Sequence, residues 1–367
     1  MKRSLLTALL VFHALAAFCQ QTSNPMKTPL DRKVDSLVRA AYARGECVGL
    51  MIGVIDGDKT YTYAYGETAI GDNTLPGTST VFQIGSVTKT FTGILLAAQI
   101  SSGQVKADDP ISKYVPDTVS LKWYDNQPIT LAMLSNHTSA IPRWEPIMTY
   151  PGFSVAQPYR HFGEAQLFHF LNHYQPAYKP GVKYAYSNLG AGLLGELLAR
   201  NARTSYKDLL FRQIFRPLGM NNTWLTESPQ VPAQMAQGYN ARRNPEQPWV
   251  MSAVSGAGGI QSTLHDMLLF ARANIRPGKG ALGAAIRLSH RETFRDASAR
   301  MGLGWHIVEG PGHTVLFHNG QTGGYHSHLS IETAGQKAVV ILSNLAADNK
   351  IGWPLQGYLM LRGGEGK

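Results

Sequence analysis

The hydrophobic positions change their spacing soon after the start of the chain. Between Leu30 and Ala41 the apolar residues fall on one helical face, and this helix is expected to end at Gly45 because glycine readily takes a left-handed cap conformation. Two runs typical of strands follow, Val48–Val54 and Tyr61–Tyr65. The Asp56-Gly57 pair between them is typical of a tight hairpin turn. The pattern therefore predicts a helix followed by a β-hairpin.

The other end of the chain also has the pattern of a sheet. Turns that contain glycine, such as Thr333-Ala334-Gly335, separate short β-type runs. These runs are Leu303–Val308, His313–Asn319, Tyr325–Ile331 and Ala338–Leu342. A helix that includes Leu355–Leu361 is expected to close the chain. We expect these strands to form an antiparallel sheet.

The central part of the chain has a helical period instead. Val87–Ala98 and Leu189–Leu198 each carry apolar residues on one helical face. Thr263, with Asp266 three positions later, is typical of the N-terminal cap of a helix over Met267–Ala273. This part of the chain is therefore predicted to be mainly helical.

The contrast between these regions predicts an α+β fold of two lobes. Residues 20–80 and 290–367 would form one α/β lobe, with a single sheet built from both chain ends. Residues 81–289 would form an inserted, mainly helical lobe. Small-molecule sites commonly lie in clefts between lobes, so we expect the active site there.

The first 19 residues have the composition of an export signal. Lys2 and Arg3 precede an apolar run that ends in small residues near Cys19. We predict cleavage near Cys19 and a periplasmic or secreted protein, with lipid attachment at Cys19 as the less favoured alternative. The run is too short for a permanent membrane span, and no later stretch reaches the roughly 20 apolar residues that a span needs.

Composition and charge exclude several classes of protein. The chain has 367 residues, of which 44% are hydrophobic and 16% charged, as expected of a globular protein. Its net charge of +10 is not concentrated in a basic cluster, so we predict no nucleic-acid binding. Loss of Cys19 with the signal would leave Cys47 without a disulfide partner. We expect a monomer.

Ser86 and Lys89 form a Ser-x-x-Lys sequence at the predicted start of a helix. A lysine three residues after a serine lies on the same helical face, within reach of the hydroxyl. It can take the hydroxyl proton only if burial or nearby positive charge lowers its pKa from about 10.4. Alone, the pair is a weak signal, because amphipathic helices of this composition produce it by chance.

Two further segments offer complementary groups. Tyr186 and Asn188 stand directly before a predicted helix, where the phenol can transfer a proton and the amide can bind a substrate peptide group. The alternative for Tyr186 is a packing role in the core. His318-Asn319-Gly320 ends a predicted strand. There the small Gly320 lets a substrate backbone lie along the strand edge, and a cation can meet its carboxylate.

The order and spacing of these segments resemble the motif set of serine β-lactamases and penicillin-binding proteins. Because tyrosine opens the second motif, the chain is similar to class C β-lactamases and low-molecular-mass DD-peptidases. Other stretches that look like recurrent segments of this family are Pro128-Ile129-Thr130-Leu131, His137-Thr138-Ser139, Pro217-Leu218-Gly219-Met220 and Gly258–Thr263. The resemblance implies a β-lactamase/transpeptidase-like fold with N- and C-terminal helices flanking the sheet.

The resemblance also implies roles for individual residues. Ser86 would be acylated by the substrate carbonyl, Lys89 and Tyr186 would share the proton transfers, and Asn188 would hydrogen-bond the substrate amide. The backbone N–H groups of Ser86 and Gln321 would form the oxyanion hole. No metal or organic cofactor is implied.

His318 stands where the β-lactamase motif has lysine. An imidazole with a pKa of about 6.5 would be about one quarter protonated at pH 7 and would bind a carboxylate less firmly. The His-x-Gly form is similar to that of certain DD-peptidases, and the segments around Tyr65-Gly66-Glu67 and Pro142-Arg143 resemble the carboxypeptidase/endopeptidase branch. The sequence therefore favours cleavage of peptidoglycan D-Ala-D-Ala peptides. Hydrolysis of β-lactams, an esterase or D-amino-acid amidase activity, and a penicillin sensor that stays acylated are the alternatives.

Two histidine pairs have spacings compatible with metal binding. They are His169 with His173 on a predicted helix and His326 with His328 on one strand face. Neither pair has a third ligand nearby in the sequence, so we predict no metal site.

Overall fold

A computed structural model describes residues 21–225, 233–310 and 312–362. The predicted signal peptide, residues 1–19, lies outside the described residues. The strands, numbered in chain order, are β1 Gly49–Asp56, β2 Lys59–Gly66, β3 Val81–Gln83, β4 Trp224–Leu225, β5 Gly238–Tyr239, β6 Pro245–Glu246, β7 Ile260–Thr263, β8 Phe294–Arg295, β9 Arg300–Met301, β10 His306–Gly310, β11 His313–Gln321, β12 His326–Glu332 and β13 Lys337–Ser343.

The helices lie between and around these strands. The α-helices are α1 Pro29–Ala43, α2 Thr88–Ser101, α3 Leu131–Ser135, α4 Glu164–His173, α5 Asn188–Asn201, α6 Tyr206–Leu210, α7 Arg216–Leu218, α8 Ser255–Gly258, α9 Leu264–Ile275, α10 Ala281–Ser289 and α11 Gly352–Arg362. Short 3₁₀ helices span Gly85–Val87, Ile111–Lys113, Glu145–Thr149 and Ser252–Val254, and Phe211–Phe215 forms a π-helical turn.

The main sheet joins the two ends of the described chain. Its strand order is β2-β1-β13-β12-β11-β10-β9-β8, and each neighbouring pair is antiparallel. The two chain ends meet where β1 pairs with β13, so that Ile52 lies opposite Ile341. This arrangement agrees with the predicted antiparallel sheet. The lobe boundaries at residues 80/81 and 289/290 stay a prediction from the sequence.

Helices cover both faces of the sheet because successive strand residues point to opposite sides. On one face, Leu50 and Ile52 of β1 are buried in a cluster with residues of α1 and α11. On the other face, Met51 and Ile55 belong to the larger cluster that contains α2 and α9. Gly53 keeps that second face flat, since a methyl group there would lie 2.8 Å from the Leu268 side chain.

The predicted first helix and hairpin are confirmed. Thr28 caps α1 through its side chain and Asp31 returns the bond, which forms a capping box. The chain leaves the helix through Gly45, whose φ of +75° is left-handed. β1 and β2 then pair up to Asp56, and Gly57 takes a left-handed φ of +60° in the turn.

One predicted strand begins three residues later than expected. The run from Leu303 was predicted as a strand, but β10 begins at His306. Gly304 has a φ of +73°, and a methyl group there would lie 2.1 Å from the carbonyl oxygen of Lys89. Residues 302–305 therefore turn to pass α2, and their apolar composition reflects burial rather than strand pairing.

The central region is mainly helical, as predicted, and packs on the second face of the sheet. α2 and α5 carry buried leucines in the large apolar cluster. α9 begins at Leu264, capped by the Thr263 hydroxyl, and so is longer than the predicted Met267–Ala273. Asp266 does not complete a capping box; its carboxylate instead accepts hydrogen bonds from Asn222 N and the Thr223 hydroxyl.

Two smaller observations concern stability and membranes. Cys47 is a buried free thiol, and burial raises the pKa of that thiol. Among the residues that the structure describes, no helix combines the length and the apolar character needed to cross a bilayer.

Candidate active site

A sharp bend at Gly85 places Ser86 at the mouth of α2. Gly85 has a left-handed φ of +48°, and a methyl group at this position would lie 2.7 Å from the backbone nitrogen of Gln321. Glycine alone satisfies both conditions without strain. Ser86 follows in the 3₁₀ turn and stays partly exposed, facing the end of β11.

Lys89 lies one turn further along, with only 2% of its surface exposed. Its Nζ is 3.0 Å from Ser86 Oγ, 2.8 Å from Asn188 Oδ1 and 2.6 Å from the Ala257 carbonyl oxygen. Burial, together with the nearby Arg143 guanidinium, holds the pKa of Lys89 well below its usual range. A neutral amine beside Ser86 can accept the hydroxyl proton, so this site can activate a serine.

Tyr186 completes the contact around the serine. Its hydroxyl donates a hydrogen bond of 2.7 Å to Ser86 Oγ, and Lys89 Nζ lies 4.8 Å from its ring centroid. Burial raises the pKa of the Tyr186 phenol. The phenol holds its proton, whereas the amine gives its proton up easily. The two pKa shifts therefore suit Lys89 to the role of base and Tyr186 to the role of proton donor.

Asn188 is the first residue of α5 and is held from two sides. Ser187 caps this helix, because its hydroxyl accepts from Gly190 N. The Asn188 Oδ1 accepts from Lys89, while its Nδ2 donates to the Tyr159 hydroxyl over 3.1 Å. Sequence reasoning missed Tyr159, which has no motif of its own.

The end of β11 forms the opposite wall. A methyl group on Gly320 would lie 1.9 Å from the Ile84 carbonyl oxygen, so the strand passes directly over the residues that precede Ser86. Asn319 Oδ1 accepts a hydrogen bond from His328 Nδ1 at 2.7 Å. Gln321 ends the strand beyond His306, the first residue of the neighbouring strand β10. Its backbone therefore lies at a free edge next to Ser86.

His318 differs from the expectation drawn from the sequence. The residue is 3% exposed, and its Nδ1 lies 2.7 Å from the Asn319 carbonyl oxygen, to which it can only donate. Burial, with smaller contributions from His306 and Lys89, holds the pKa of His318 well below its usual range. The expected partial protonation at pH 7 is therefore wrong for this fold, since burial favours the neutral ring.

Two other imidazoles surround the site and were not predicted as part of it. The His137 ring packs against the Tyr186 ring at a tilt of 38° with 4.4 Å between centroids, and its Nδ1 accepts from Ser187 N. The His306 ring lies 5.1 Å from that of His318. The sequence segment that contains His137 marked this region, but nothing in the sequence indicated that three rings would pack together.

The two walls enclose a cleft of about 850 Å³. Ser86, Tyr186 and Asn188 line the helical wall, and residues 318–322 line the sheet wall. The structure thus brings together all eight residues predicted for the site. Their catalytic roles stay predictions.

The histidine pairs lie apart from these residues or take other roles. The His169 and His173 rings on α4 are tilted by 36° with 4.4 Å between centroids, and His173 Nδ1 contacts the His169 carbonyl. His326 lies 3.8 Å from Asp348 at one end of the cleft, whereas His328 is buried beneath Asn319. Within the described part of the chain, no three His, Cys, Asp or Glu side chains converge as a metal site would require.

Comparison with known proteins identifies the group. The Beta-lactamase family model matches residues 34–354. The chain belongs to the beta-lactamase family. A D-alanyl-D-alanine-carboxypeptidase/endopeptidase, AmpH of Escherichia coli K12, is 35% identical over 275 residues, which is 73% of this chain and 68% of AmpH. A beta-lactamase of the same strain is 28% identical over 267 residues, or 72% of this chain and 67% of that protein.

Solved structures support the same conclusion about the fold. A beta-lactamase/D-alanine carboxypeptidase from Yersinia pestis superposes with a TM-score of 0.77 at 26% identity, covering 92% of this chain and 99% of that one. A class C beta-lactamase mutant superposes with a TM-score of 0.78 at 22% identity, with the same coverage. The predicted family and β-lactamase/transpeptidase-like fold are confirmed, and the protein is a serine hydrolase of this family.

Proposed function

We propose that the protein cleaves D-Ala-D-Ala peptides of peptidoglycan through an acyl-enzyme on Ser86. The observation that carries this proposal is the double contact of Ser86 Oγ, 3.0 Å from Lys89 Nζ and 2.7 Å from the Tyr186 hydroxyl. An activated nucleophile needs a neighbouring base, and a departing amine needs a proton donor at the same point.

The reaction follows from these positions. Neutral Lys89 takes the Ser86 proton as Oγ attacks the carbonyl carbon of the penultimate D-alanine. The backbone N–H groups of Ser86 and Gln321 stabilise the negative oxygen of the tetrahedral intermediate. Tyr186 donates a proton to the leaving nitrogen and regains one from Lys89. The C–N bond breaks, the D-Ala ester of Ser86 forms, and water later releases the acyl group.

Two observations support a peptide over a β-lactam as the substrate. A relative named as a D-alanyl-D-alanine carboxypeptidase/endopeptidase shares 35% identity with the chain. In addition, the sheet wall presents the neutral His318 at the position where the β-lactamase motif carries lysine. The second candidate is β-lactam hydrolysis, which relatives named as beta-lactamases support.

We further infer that the protein acts outside the cytoplasm, as a monomer. The export signal predicted for residues 1–19 supports this location, which is also where peptidoglycan lies. Cleavage near Cys19 is part of the same proposal.

Three substrates, tested in parallel on the chain from residue 20 onwards, separate the candidates. They are a muropeptide that ends in D-Ala-D-Ala, a chromogenic cephalosporin and a fluorescent penicillin. We expect release of D-alanine, slow cephalosporin turnover and a penicillin adduct on Ser86, with all three lost in Ser86→Ala. Fast cephalosporin turnover without D-alanine release would mean a β-lactamase. A stable adduct with no turnover of either would mean a penicillin sensor.

A further inference from the structure

One guanidinium stands free in the active-site cleft. Arg143 lines this cleft together with Ser86, Tyr186 and Asn188, and its side chain is exposed to solvent. It is the only lysine or arginine among the described residues that line the cleft. Lys89 lies behind these residues, with its amine already bound to three oxygen atoms.

The backbone holds Arg143 in a fixed place. Its carbonyl oxygen accepts from Asn188 N at 3.0 Å and from Leu189 N at 3.2 Å, at the start of α5. Its guanidinium carbon lies 5.1 Å from the centroid of the Tyr186 ring. The cation is therefore stationed on the helical wall, over the phenol that contacts Ser86.

The guanidinium has no partner within the described protein. Among the side chains that the structure describes, none forms an ion pair or hydrogen bond with it, and the guanidinium packs against the Tyr186 ring. A guanidinium carries five N–H donors arranged to hold a carboxylate through two bonds. An exposed arginine of this kind on a loop is ordinary, but one that overlies a catalytic phenol can reach a bound substrate.

No other described residue that lines the cleft supplies this positive charge. His318 is a buried neutral ring, and burial also lowers the pKa of His306 to about 4. Asp348, at the far side near His326, is a carboxylate and would repel an anion. A negatively charged substrate therefore finds its positive partner on the helical wall.

We propose that Arg143 binds a carboxylate of the substrate and so selects acidic peptides for cleavage at Ser86. The inference rests on the proposed peptidase function and deepens it. A peptidoglycan stem offers two such carboxylates, the terminal one of D-alanine and the side-chain one of an acidic diamino acid. Both present the same chemistry to the guanidinium, and the substrates below distinguish them.

The test compares three stem peptides: one with both carboxylates free, one amidated at the C-terminus and one amidated on the side chain. With the free peptide, Arg143→Gln should lower kcat/KM by ~10- to 100-fold, mostly through KM, as expected for loss of a charge-assisted pair. Arg143→Lys should recover part of the loss, since it restores charge without the two-bond geometry. Arg242→Gln, the same change at an exposed turn outside the cleft, is the matched control.

The amidated peptides identify the carboxylate. The effect of Arg143→Gln should vanish with the peptide whose recognised carboxylate is blocked and persist with the other. An equal loss with all three peptides, or no loss with any, would overturn the proposal. Equal losses would mean that Arg143 only supports Tyr186.

A failure of the proposed function would be recognised separately. If the unaltered protein cleaves none of the peptides, the peptidase assignment falls while the role of Arg143 is still measurable. Acylation of Ser86 by a penicillin with a free carboxylate is then compared with acylation by its methyl ester. Arg143→Gln should slow the reaction of the acid alone, and slowing of both to the same extent would refute the role.

Discussion

The two walls of the cleft are built on different principles. On the helical wall, Lys89 and Tyr186 hydrogen-bond Ser86 Oγ and Asn188 in turn holds Lys89, through side-chain bonds between 2.7 and 3.0 Å long. On the sheet wall, the Nε2 atom of His318 is buried without a hydrogen-bond partner in the described structure, and the backbone at Gln321 lies at a free edge.

This difference separates chemistry from recognition. The helical wall is organised before a substrate arrives, so no energy is spent on arranging the proton donor and acceptor during the reaction. The sheet wall keeps open positions that a substrate backbone can fill. Changes in side chains should therefore damage the helical wall most, whereas changes in backbone geometry should damage the sheet wall.

The most damaging change should be Lys89→Met. It removes the proposed base, so acylation by a reporter penicillin should slow by ~10²- to 10⁴-fold. It also leaves Asn188 Oδ1 and the Ala257 carbonyl without their donor, at a cost of about 1–3 kcal/mol in the free energy of unfolding. Stopped-flow labelling and urea unfolding measure the two effects.

The control for this change is Lys122→Met at an exposed position. The acylation rate and the free energy of unfolding of this variant should both stay near those of the unaltered protein. Acylation of the Lys89 variant within about tenfold of normal would show that another group takes the Ser86 proton.

A smaller loss is expected from Gly85→Ala, where the two walls meet. The added methyl group would push Gln321 away from Ser86 and disturb one proposed oxyanion donor, so acylation should fall by ~10²-fold. Gly103→Ala is the matched control, because Gly103 has a φ of +74° but no atom within 4 Å of the added carbon. Both variants should lose about 1–2 kcal/mol of stability from the left-handed backbone. Equal acylation in both would contradict a role for this close approach.

The helical wall was largely predictable because its residues carry short motifs. Ser86 and Lys89 are three positions apart, and Tyr186 with Asn188 precedes a helix, so local sequence marks both segments. The fold was predictable for a similar reason, since the hydrophobic periods of α1, β1 and the C-terminal strands match the observed elements. The resemblance then linked segments that are 97 or more positions apart.

Effects that arise only from tertiary packing were not predictable. The low pKa of His318 results from its burial near His306 and Lys89, and Lys89 is more than 200 positions away from both histidines in the sequence. Likewise, Tyr159 enters the site from a loop without a distinctive pattern, and the Pro142-Arg143 segment indicated a branch of the family but not a position in the cleft. The predicted strand from Leu303 is instead a bend at Gly304, because the chain there passes close to the backbone of Lys89.

The smallest predicted effect concerns acid stability and tests the neutral histidines of the sheet wall. Burial lowers the pKa of His306 to about 4, against about 6.5 in an unfolded chain. Between these values the unfolded chain binds a proton that the folded one excludes, so this stabilisation is complete above about pH 6.5 and is lost as the pH falls. One such group contributes at most about 1.4 kcal/mol per pH unit.

His306→Gln should therefore flatten the decline in unfolding free energy between about pH 6.5 and pH 5, measured by urea unfolding. At about pH 8 the imidazole is neutral in the folded and in the unfolded protein. Any difference in unfolding free energy between the unaltered protein and the variant at that pH therefore reports packing alone. An unchanged acid slope in the variant would mean that His306 takes up protons in the folded protein, and the sheet wall would then not be a neutral surface.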